Sequence, residues 1–369
     1  MKIKTITCHD VYNVGACLQA YALSHYLSEM GHDVEVIDYK PDYLSYEYRF
    51  WTVPNVRYRR NLLLKAIYLA AKTPDKLRFL PRKRCFDRFT RDYLRLTSRR
   101  YASNDELKRD CPAADAYIAG SDQIWNTFFP NGKDPAFLLD FAPKDARRFS
   151  DAASVGTDHI QESWEPFVSG MTAALNAVSV REQSAVDLLK RLGTEAVHVC
   201  DPVFLLDAVH WQEVMMPKRL ENKPYLFVYD FDNNLMLQEA AQKTAKKYGL
   251  KICSMFPSKI ADRDFYRSGP REFLSLIYHA DLILTNSFHA IAFSVIFEKP
   301  FWGVKRKENL NSRMADLLNM FSLEQRMVDS AEQVTDDPIN YEAVRSKLNE
   351  FITVSKAFLH NSLGDINGD

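Results

Sequence analysis

The chain has 369 residues, of which 46% are hydrophobic and 26% are charged, as in soluble globular proteins. Lys and Arg together number 48, and so do Asp and Glu, so the overall charge predicts no nucleic-acid or other polyanionic partner. The length exceeds one ordinary domain, and we expect two. No apolar run approaches the roughly 18 residues of a membrane span, and MKIKTITCHD lacks the apolar core of a signal peptide. We therefore expect a cytoplasmic protein.

The six cysteines lie far apart and form no CxxC pair. This spacing predicts reduced thiols and argues against a zinc site. The sequence therefore predicts no metal centre.

The first elements predict a parallel α/β sheet. Lys2–Thr7 is expected to be a strand, Ala16–Met30 a helix, and Val34–Tyr39 a second strand. A βαβ opening of this kind is typical of parallel sheets. The first turn contains Gly15 but no GxGxxG fingerprint, so it is not a dinucleotide site. The helix that follows could still receive an anion at its amino end.

The segment 43–103 interrupts the strand–helix alternation. Between residues 49 and 100 it carries sixteen Lys or Arg and only three Asp or Glu. Two helices are predicted, near Tyr58–Ala71 and Arg82–Leu94. Basic, aromatic and helical composition suits an anionic membrane surface, so we expect peripheral contact with the inner face of a membrane. A nucleic-acid patch and a helical insertion with a solvated basic face are the alternatives.

The next elements predict a ligand-binding edge and a second α/β unit. The strand Ala114–Gly120 ends in a turn of polar residues, which in open α/β folds lies where ligands bind. Residues 208–224 are polar and aperiodic, which predicts a linker. The chain then divides into a first domain at 1–207, with the basic helical insertion at about 43–103, and a second domain at 225–369 that ends in a helix.

The stretch Leu282–Phe301 repeats the pattern of a strand, a polar turn and a helix. It reads LILTNSFHAIAFSVIFEKPF, and Pro300 is expected to end the helix. His289 would lie in the first helical turn, facing a crevice. A core histidine with satisfied hydrogen bonds is the alternative interpretation.

Six blocks of the sequence together resemble the polysaccharide pyruvyl transferase family. In chain order they are NVGACLQAYAL (13–23), VIDY (36–39), GSDQIWN (120–126), SVRE (179–182), DPVFLL (201–206) and TNSFHAIAFSVIFEKPF (285–301). The resemblance covers roughly Lys2 to Arg326. It implies an α/β fold in which two Rossmann-like domains face each other across a cleft, as in GT-B glycosyltransferases, with parallel sheets flanked by helices.

The resemblance also implies a reaction. Members with an assigned function move the enolpyruvyl unit of phosphoenolpyruvate onto two hydroxyls of one sugar, which releases phosphate and forms a cyclic ketal. The expected partners are phosphoenolpyruvate and a sugar acceptor, carried on a lipid-linked oligosaccharide precursor of an exopolysaccharide or capsule. Such a reaction needs a general acid and cationic anchors, and no metal or organic cofactor.

The resemblance assigns roles to particular residues. His289 is expected to be the general acid or a phosphate contact, and Arg181 to hold the phosphate or carboxylate of the donor. We expect replacement of either by Ala to abolish turnover and leave the fold intact. An ion pair with Glu182 is the alternative for Arg181. The other candidates for substrate contact are Asn13, Gly15, Gln19, Gly120, Ser121, Asp122, Gln123, Ser287 and Arg313. Capping of their own turns is the alternative for Asp122 and Ser287.

One block departs from the family. The usual TDSFHGT is TNSFHAI here, so Asn286, Ala290 and Ile291 replace Asp, Gly and Thr. Loss of a carboxylate could change the basicity or tautomer of His289, and we expect Ala290 and Ile291 to crowd an approaching phosphate. Two other functions remain open: a GT-B glycosyltransferase that uses a nucleotide sugar, and a family member that keeps the fold without catalysis.

Overall fold

A computed structural model of the chain describes residues 1–45, 53, 58, 61–306 and 311–364. Within these residues, the strands form two large parallel sheets and one small pair. The first sheet has the order β3-β2-β1-β4-β5 and the second has the order β10-β9-β8-β11-β12-β13. The strands are β1 Lys2–Ile6, β2 Asp33–Tyr39, β3 Leu96–Tyr101, β4 Ala116–Gly120, β5 Arg147–Asp151, β6 Ser179–Val180, β7 Val197–His198, β8 Tyr225–Tyr229, β9 Lys251–Ser254, β10 Arg263–Asp264, β11 Leu282–Thr285, β12 Phe301–Val304 and β13 Met327–Val328.

Helices cover both sheets. They are α1 Val14–Glu29, α2 Asp42–Ser45, α3 Leu62–Tyr93, α4 Asn104–Arg109, α5 Glu165–Thr172, α6 Gln183–Arg191, α7 Ala208–Val214, α8 Leu235–Tyr248, α9 Pro270–Tyr278, α10 Phe288–Ile296, α11 Ser312–Met320 and α12 Tyr341–Leu363. None of the helices within the described ranges combines the length and apolarity needed to cross a bilayer.

Continuous apolar sequence explains the central strands. All residues of β8 (YLFVY), β11 (LILT) and β12 (FWGV) are buried, as expected for parallel strands covered on both faces. Helix α10 is buried from Phe288 to Val295, because it lies between its own sheet and the first half of the chain. One hydrophobic cluster joins Ile3 and Phe149 of the first sheet with Phe227 of the second. The two halves therefore share a core.

The structure corrects the predicted pair of helices in the basic segment. A single helix, α3, runs from Leu62 to Tyr93 and contains Pro74 and Pro81. Prolines usually break a helix interior, but burial of Phe86 and Phe89 holds this helix against the rest of the protein. It is followed by β3, an edge strand of the first sheet that the sequence did not reveal. Residues 46–52, 54–57 and 59–60 of the predicted segment lie outside the described residues.

Two further elements differ from the prediction. The segment 208–224, predicted as a linker, begins with helix α7, whose Trp211 is completely buried. The terminal helix α12, assigned to the second domain, packs on the first sheet. There Phe358 lies 6.2 Å from Phe149 between ring centroids, and Ser355 Oγ accepts a hydrogen bond from the Cys200 N–H at 2.9 Å. The order of the elements along the chain could not predict that the last helix packs on the first sheet.

Candidate active site

The site lies between the two halves, beyond the carboxyl ends of β4 and β11. The turn before α1, the residues after β4 and the segments after β6 and β7 come from the first half. The first turn of α10 and the start of α11 come from the second half. Nearly all predicted residues are therefore brought to one interface, as expected for open α/β sheets.

Asp201 is the centre of this interface, although the sequence analysis gave it no role. Arg181 Nη1 donates to Asp201 Oδ2 at 2.5 Å, and His289 Nε2 lies 3.6 Å from the same oxygen. Ser121 Oγ is 3.5 Å away. Burial acts to raise the pKa of Asp201, but the His289 ring and the Arg181 guanidinium outweigh it, so the pKa is lowered. Asp201 is therefore an ionised carboxylate inside the protein.

The Arg181 side chain is completely buried. Its Nη2 lies 3.7 Å from Asp122 Oδ1, its Nε lies 3.7 Å from Glu182 Oε1, and neither nitrogen has a hydrogen-bond partner among the described residues. The guanidinium carbon lies 4.7 Å from the centre of the Phe288 ring, across the interface. The alternative interpretation, an ion pair with Glu182, is thus a secondary contact, and two donors stay available.

His289 fits against a glycine of the opposite half. A Cβ atom at Gly15 would overlap the imidazole ring, so only glycine allows this approach. His289 Nε2 is buried and makes no hydrogen bond to the described residues. A histidine that only fills a core would be expected to have its ring nitrogens satisfied. Nε2 instead lies 3.6 Å from the buried carboxylate of Asp201 across the interface, which favours a functional role over the core interpretation.

Arg313 adds a second buried cation. With its amide oxygen facing the guanidinium, Gln123 accepts from Arg313 Nη1 at 2.9 Å and from Nη2 at 3.0 Å. Arg313 Nε has no hydrogen-bond partner, and no carboxylate of the described ranges lies within 4.0 Å of this guanidinium. Burial and the charge of Arg181 lower the pKa of Arg313 to about 10. Glu182 and Asp122 partly offset this effect.

Several predicted residues support the site through bonds within the protein. Gln19 is fully buried, donates to Thr7 Oγ1 and to the Ala16 carbonyl at 2.9 Å each, and accepts from the Ser121 N–H at 2.9 Å. Asn13 caps α1 by accepting from the Gly15 N–H at 2.9 Å.

Two further turns are held in the same way. Ser287 caps α10 through the Ala290 N–H at 3.4 Å. At Gly120, a Cβ would overlap the Asp151 carbonyl oxygen. Asp122 Oδ1 accepts from the Gln123 N–H at 2.8 Å, as expected for a turn residue. These residues shape the interface and hold its charged groups in place.

The departures in the TNSFHAI block have local explanations. Asn286 Nδ2 donates to Asp230 Oδ1 at 2.8 Å and to Asp232 Oδ1 at 2.5 Å, and its Oδ1 accepts from the Phe231 N–H at 3.0 Å. An aspartate at 286 would add a third carboxylate to this pair. Ile291 packs on β12, with Cδ1 3.1 Å from the Cβ position of Gly303. It therefore fills the core on the sheet side, and the expected crowding by Ile291 is wrong.

A cavity of about 470 Å³ adjoins the charged residues. Asp122 and Gln123 belong both to its wall and to the Arg181–Arg313 cluster. The lining residues are Cys8, Val11, Asn13, Tyr43, Leu44, Asp122, Gln123, Phe129, Pro130 and Asn131. The cavity thus combines aromatic faces with a carboxylate and amides, which is the usual chemistry of a sugar subsite.

The chain has a GT-B-type fold, which it shares with a solved structure of low sequence identity. A protein assigned as a UDP-N-acetylglucosamine 2-epimerase from Listeria monocytogenes matches with a TM-score of 0.52 and 8% identity, over 97% of this chain and 89% of that one. S. aureus MnaA, in a UDP co-structure, has a TM-score of 0.49 and 13% identity over 99% and 92% of the two chains. The E. coli heptosyltransferase WaaC with ADP has 0.40 and 9% over 95% and 100%. At 8% identity, the match to the Listeria monocytogenes protein is evidence for the fold alone.

A search of curated protein sequences finds no match to this chain. The model of one family does match, over residues 13–308, and its description is polysaccharide pyruvyl transferase. This range contains Gly15, Arg181, Asp201 and His289, all of which meet at the interface between the halves. The match covers most of the chain, so this protein belongs to the polysaccharide pyruvyl transferase family of enzymes.

Proposed function

We propose that the enzyme transfers the enolpyruvyl unit of phosphoenolpyruvate onto two hydroxyls of one sugar, with release of inorganic phosphate. One observation carries this proposal. Two buried guanidinium groups, Arg181 and Arg313, have N–H donors without hydrogen-bond partners among the described residues, and Arg181 shares the Asp201 carboxylate with His289 Nε2. Unpaired buried donors are costly. A small donor substrate with a phosphate and a carboxylate would satisfy them, because a guanidinium binds either group through two hydrogen bonds.

We assign proton transfer to His289. The methylene carbon of the enol phosphate must gain a proton to become the methyl group of the ketal. Asp201 would hold the imidazole and stabilise positive charge on it, as carboxylates do in other acid–base sites. The first sugar hydroxyl loses its proton and forms a C–O bond at the carbon that carries the phosphate. The proton of the first hydroxyl passes to the phosphate, which leaves as hydrogen phosphate. The second hydroxyl then attacks the oxocarbenium-like centre and passes its proton to His289, which restores the acid. This chemistry calls for no metal or organic cofactor.

We place the acceptor sugar in the 470 Å³ cavity beside Asp122 and Gln123. Phe129 and Tyr43 are exposed and offer apolar faces to a sugar ring. Asp122 is the carboxylate that faces both the cavity and Arg181. A sugar bound there would therefore present its hydroxyls next to the proposed donor site.

The first turns of α3 support a lipid-linked acceptor. Leu62, Leu63 and Ile67 expose 83%, 69% and 56% of their surface, and Lys72 and Arg78 follow on the same helix. Exposed leucines followed by basic residues suit the surface of an anionic bilayer. We therefore propose that the enzyme works in the cytoplasm, on an acceptor at the inner face of the membrane.

A flotation assay tests the membrane part. Wild-type protein should float with vesicles that contain phosphatidylglycerol at low salt, and stay behind with neutral vesicles. Leu63→Glu with Ile67→Glu should abolish flotation, whereas Val354→Glu, an exposed position on α12, should not. Equal flotation of both variants, or none by the wild type, would remove the membrane claim.

Phosphate release from phosphoenolpyruvate, measured against a panel of synthetic and lipid-linked glycosides, tests the reaction. We expect His289→Gln to lower kcat/KM by roughly 100- to 10,000-fold, and Arg181→Lys and Arg313→Lys by about 100-fold or more. The exposed residues His159 and Arg84 provide the matched controls His159→Gln and Arg84→Lys, which should keep wild-type rates.

The contacts of Arg181 make lysine a better replacement than alanine at this position. Arg181→Ala would leave the buried Asp201 unpaired, at a cost of about 3–5 kcal/mol. We therefore no longer expect the Arg181→Ala variant to keep its fold. Arg181→Lys keeps a cation next to Asp201 and tests the anchor. Thermal stabilisation by UDP and not by phosphoenolpyruvate would indicate a nucleotide-sugar transferase. Stabilisation by phosphoenolpyruvate without turnover on any glycoside would indicate a fold without catalysis.

A further inference from the structure

Two histidines and a glutamate meet near the carboxyl end of α1. His25 and Glu29 are one turn apart on α1, and His210 comes from α7 in the segment between the halves. The His25 and His210 rings lie 4.3 Å apart between centroids. His25 follows Gly15 by ten residues on the same helix, which separates this cluster from the active site by about 15 Å.

The spacing of the ligand atoms fits a metal ion. A tetrahedral ion with bonds of about 2.0–2.1 Å to nitrogen and oxygen requires ligand atoms about 3.3 Å apart. His25 Nε2 and Glu29 Oε1 are 3.2 Å apart, and one ligand atom from each of the three residues lies within 4.8 Å of the others. A small side-chain rotation of His210 would complete the set. All three side chains are partly exposed, so an ion can reach them.

A neighbouring hydroxyl orients one of the two imidazoles. Tyr21 Oη lies 2.7 Å from His210 Nε2 and fixes the orientation of the ring. Partners of this kind commonly hold metal-binding histidines in position.

We propose that His25, Glu29 and His210 bind one divalent transition-metal ion of the zinc class. Imidazole nitrogens with one carboxylate suit Zn²⁺, Co²⁺ and Ni²⁺ over Mg²⁺ and Ca²⁺, which prefer oxygen ligands. Three protein ligands leave a position for water. The ion joins α1 to α7, so its effect is to fasten the first half to the segment that leads to the second. This inference is independent of the proposed reaction.

Titration of the metal-free full-length protein with Co²⁺ and Zn²⁺ tests the site. We expect one saturable site, a visible cobalt spectrum without the near-ultraviolet band of a thiolate ligand, and a higher Tm with Zn²⁺. His25→Gln and His210→Gln should each weaken binding about tenfold or more, and Tyr21→Phe should weaken it less. His159→Gln is the matched control, because His159 pairs with Asp158 at 2.7 Å on the surface without a second imidazole.

Each outcome decides the question. A thiolate band would assign the ion to one of the six free cysteines and overturn the proposal. Absence of saturation at millimolar metal, or equal affinity in the wild type and both histidine variants, would do the same. Circular dichroism without metal checks that the variants are folded, and Glu29→Gln keeps the shape of the third ligand while removing its charge. Unchanged cobalt binding in that variant would exclude Glu29 as a ligand.

Discussion

Gly15 is the point at which the backbone of the first half touches the imidazole of the second. Since a Cβ there would overlap His289, Gly15→Ala must displace the ring or the turn. We expect activity to fall about 100-fold, the usual cost of moving a reacting group by about 1 Å. Gly170→Ala is the matched control, because nothing lies within 4 Å of a Cβ at this helical position.

The control should be neutral or slightly stabilising, by about 0.5–1 kcal/mol. The measurement is kcat/KM together with the free energy of unfolding for both variants. Full activity of Gly15→Ala would show that the ring position seen here is not required.

Asp151 should make stability depend on pH. Burial and the charge of Asp201 raise its pKa from 3.8 to about 8. Between these values the folded protein holds a proton that the unfolded chain has released, so the free energy of unfolding falls as pH rises through this window. Asp151→Asn imitates the protonated form and should remove this slope, which makes the variant roughly 1–3 kcal/mol more stable than the wild type at about pH 8.

Urea unfolding at several pH values checks this prediction. The exposed Asp145→Asn serves as the control. Parallel pH profiles for the wild type and Asp151→Asn would contradict the assignment.

Some residues of the candidate site could be predicted from the sequence, and others could not. Arg181 and His289 were recognisable from their motifs, because the carboxyl ends of parallel strands collect polar residues. Asp201 was not, although it stands between a short strand and Pro202 in the DPVFLL block. Its importance comes from contacts with residues 20 and 88 positions away, which only the folded chain brings together.

At the scale of elements, the turn between β11 and α10 depends on a neutral side chain at 286. Burial and the hydrogen bond with Asp232 raise the pKa of Asp230. Two carboxylates are therefore already close together at this turn, and it is unfavourable for both to be ionised. Asn286→Asp would add a third and remove the donated hydrogen bonds. We expect it to lower the free energy of unfolding by about 1–3 kcal/mol, and more at neutral than at acidic pH.

Chemical unfolding at both pH values measures this effect, with the exposed Asn222→Asp as the control. A variant as stable as the wild type would mean that aspartate, the usual family residue, fits this chain without adjustment.

Elements with strong local signals were predictable, and those held by distant contacts were not. The apolar run of β11 and the capped start of α10 can be recognised from a few neighbouring residues. Helix α3 does not, because Pro74 and Pro81 favour a break and only packing on both halves keeps the helix continuous. Strand β3 has few apolar residues and owes its pairing to β2.

At the scale of the whole molecule, α3 connects the halves through Arg82. Its Nη1 donates to the carbonyls of Ser268 and Tyr266 at 3.3 and 3.4 Å, and its guanidinium lies 4.9 Å from the Phe86 ring centre. Arg82→Ala should lower the free energy of unfolding by about 1–3 kcal/mol and reduce the cooperativity of unfolding.

Arg84→Ala, two positions along the same helix and exposed, should have little effect. Denaturant unfolding followed by tryptophan fluorescence compares the two variants. Equal stabilities would mean that α3 does not hold the halves together.

The contact between Gly15 and His289 also sets an order of events. If the halves separate to admit reactants, the imidazole leaves the Gly15 turn and Asp201 in one movement, because both belong to the other half. In the proposed mechanism, His289 could then donate a proton only after the halves have come together again. A donor molecule held by the open enzyme would meet no acid, and wasteful hydrolysis before the sugar arrives would be avoided. Under the proposed mechanism, the missing side chain at Gly15 would therefore help to time proton transfer.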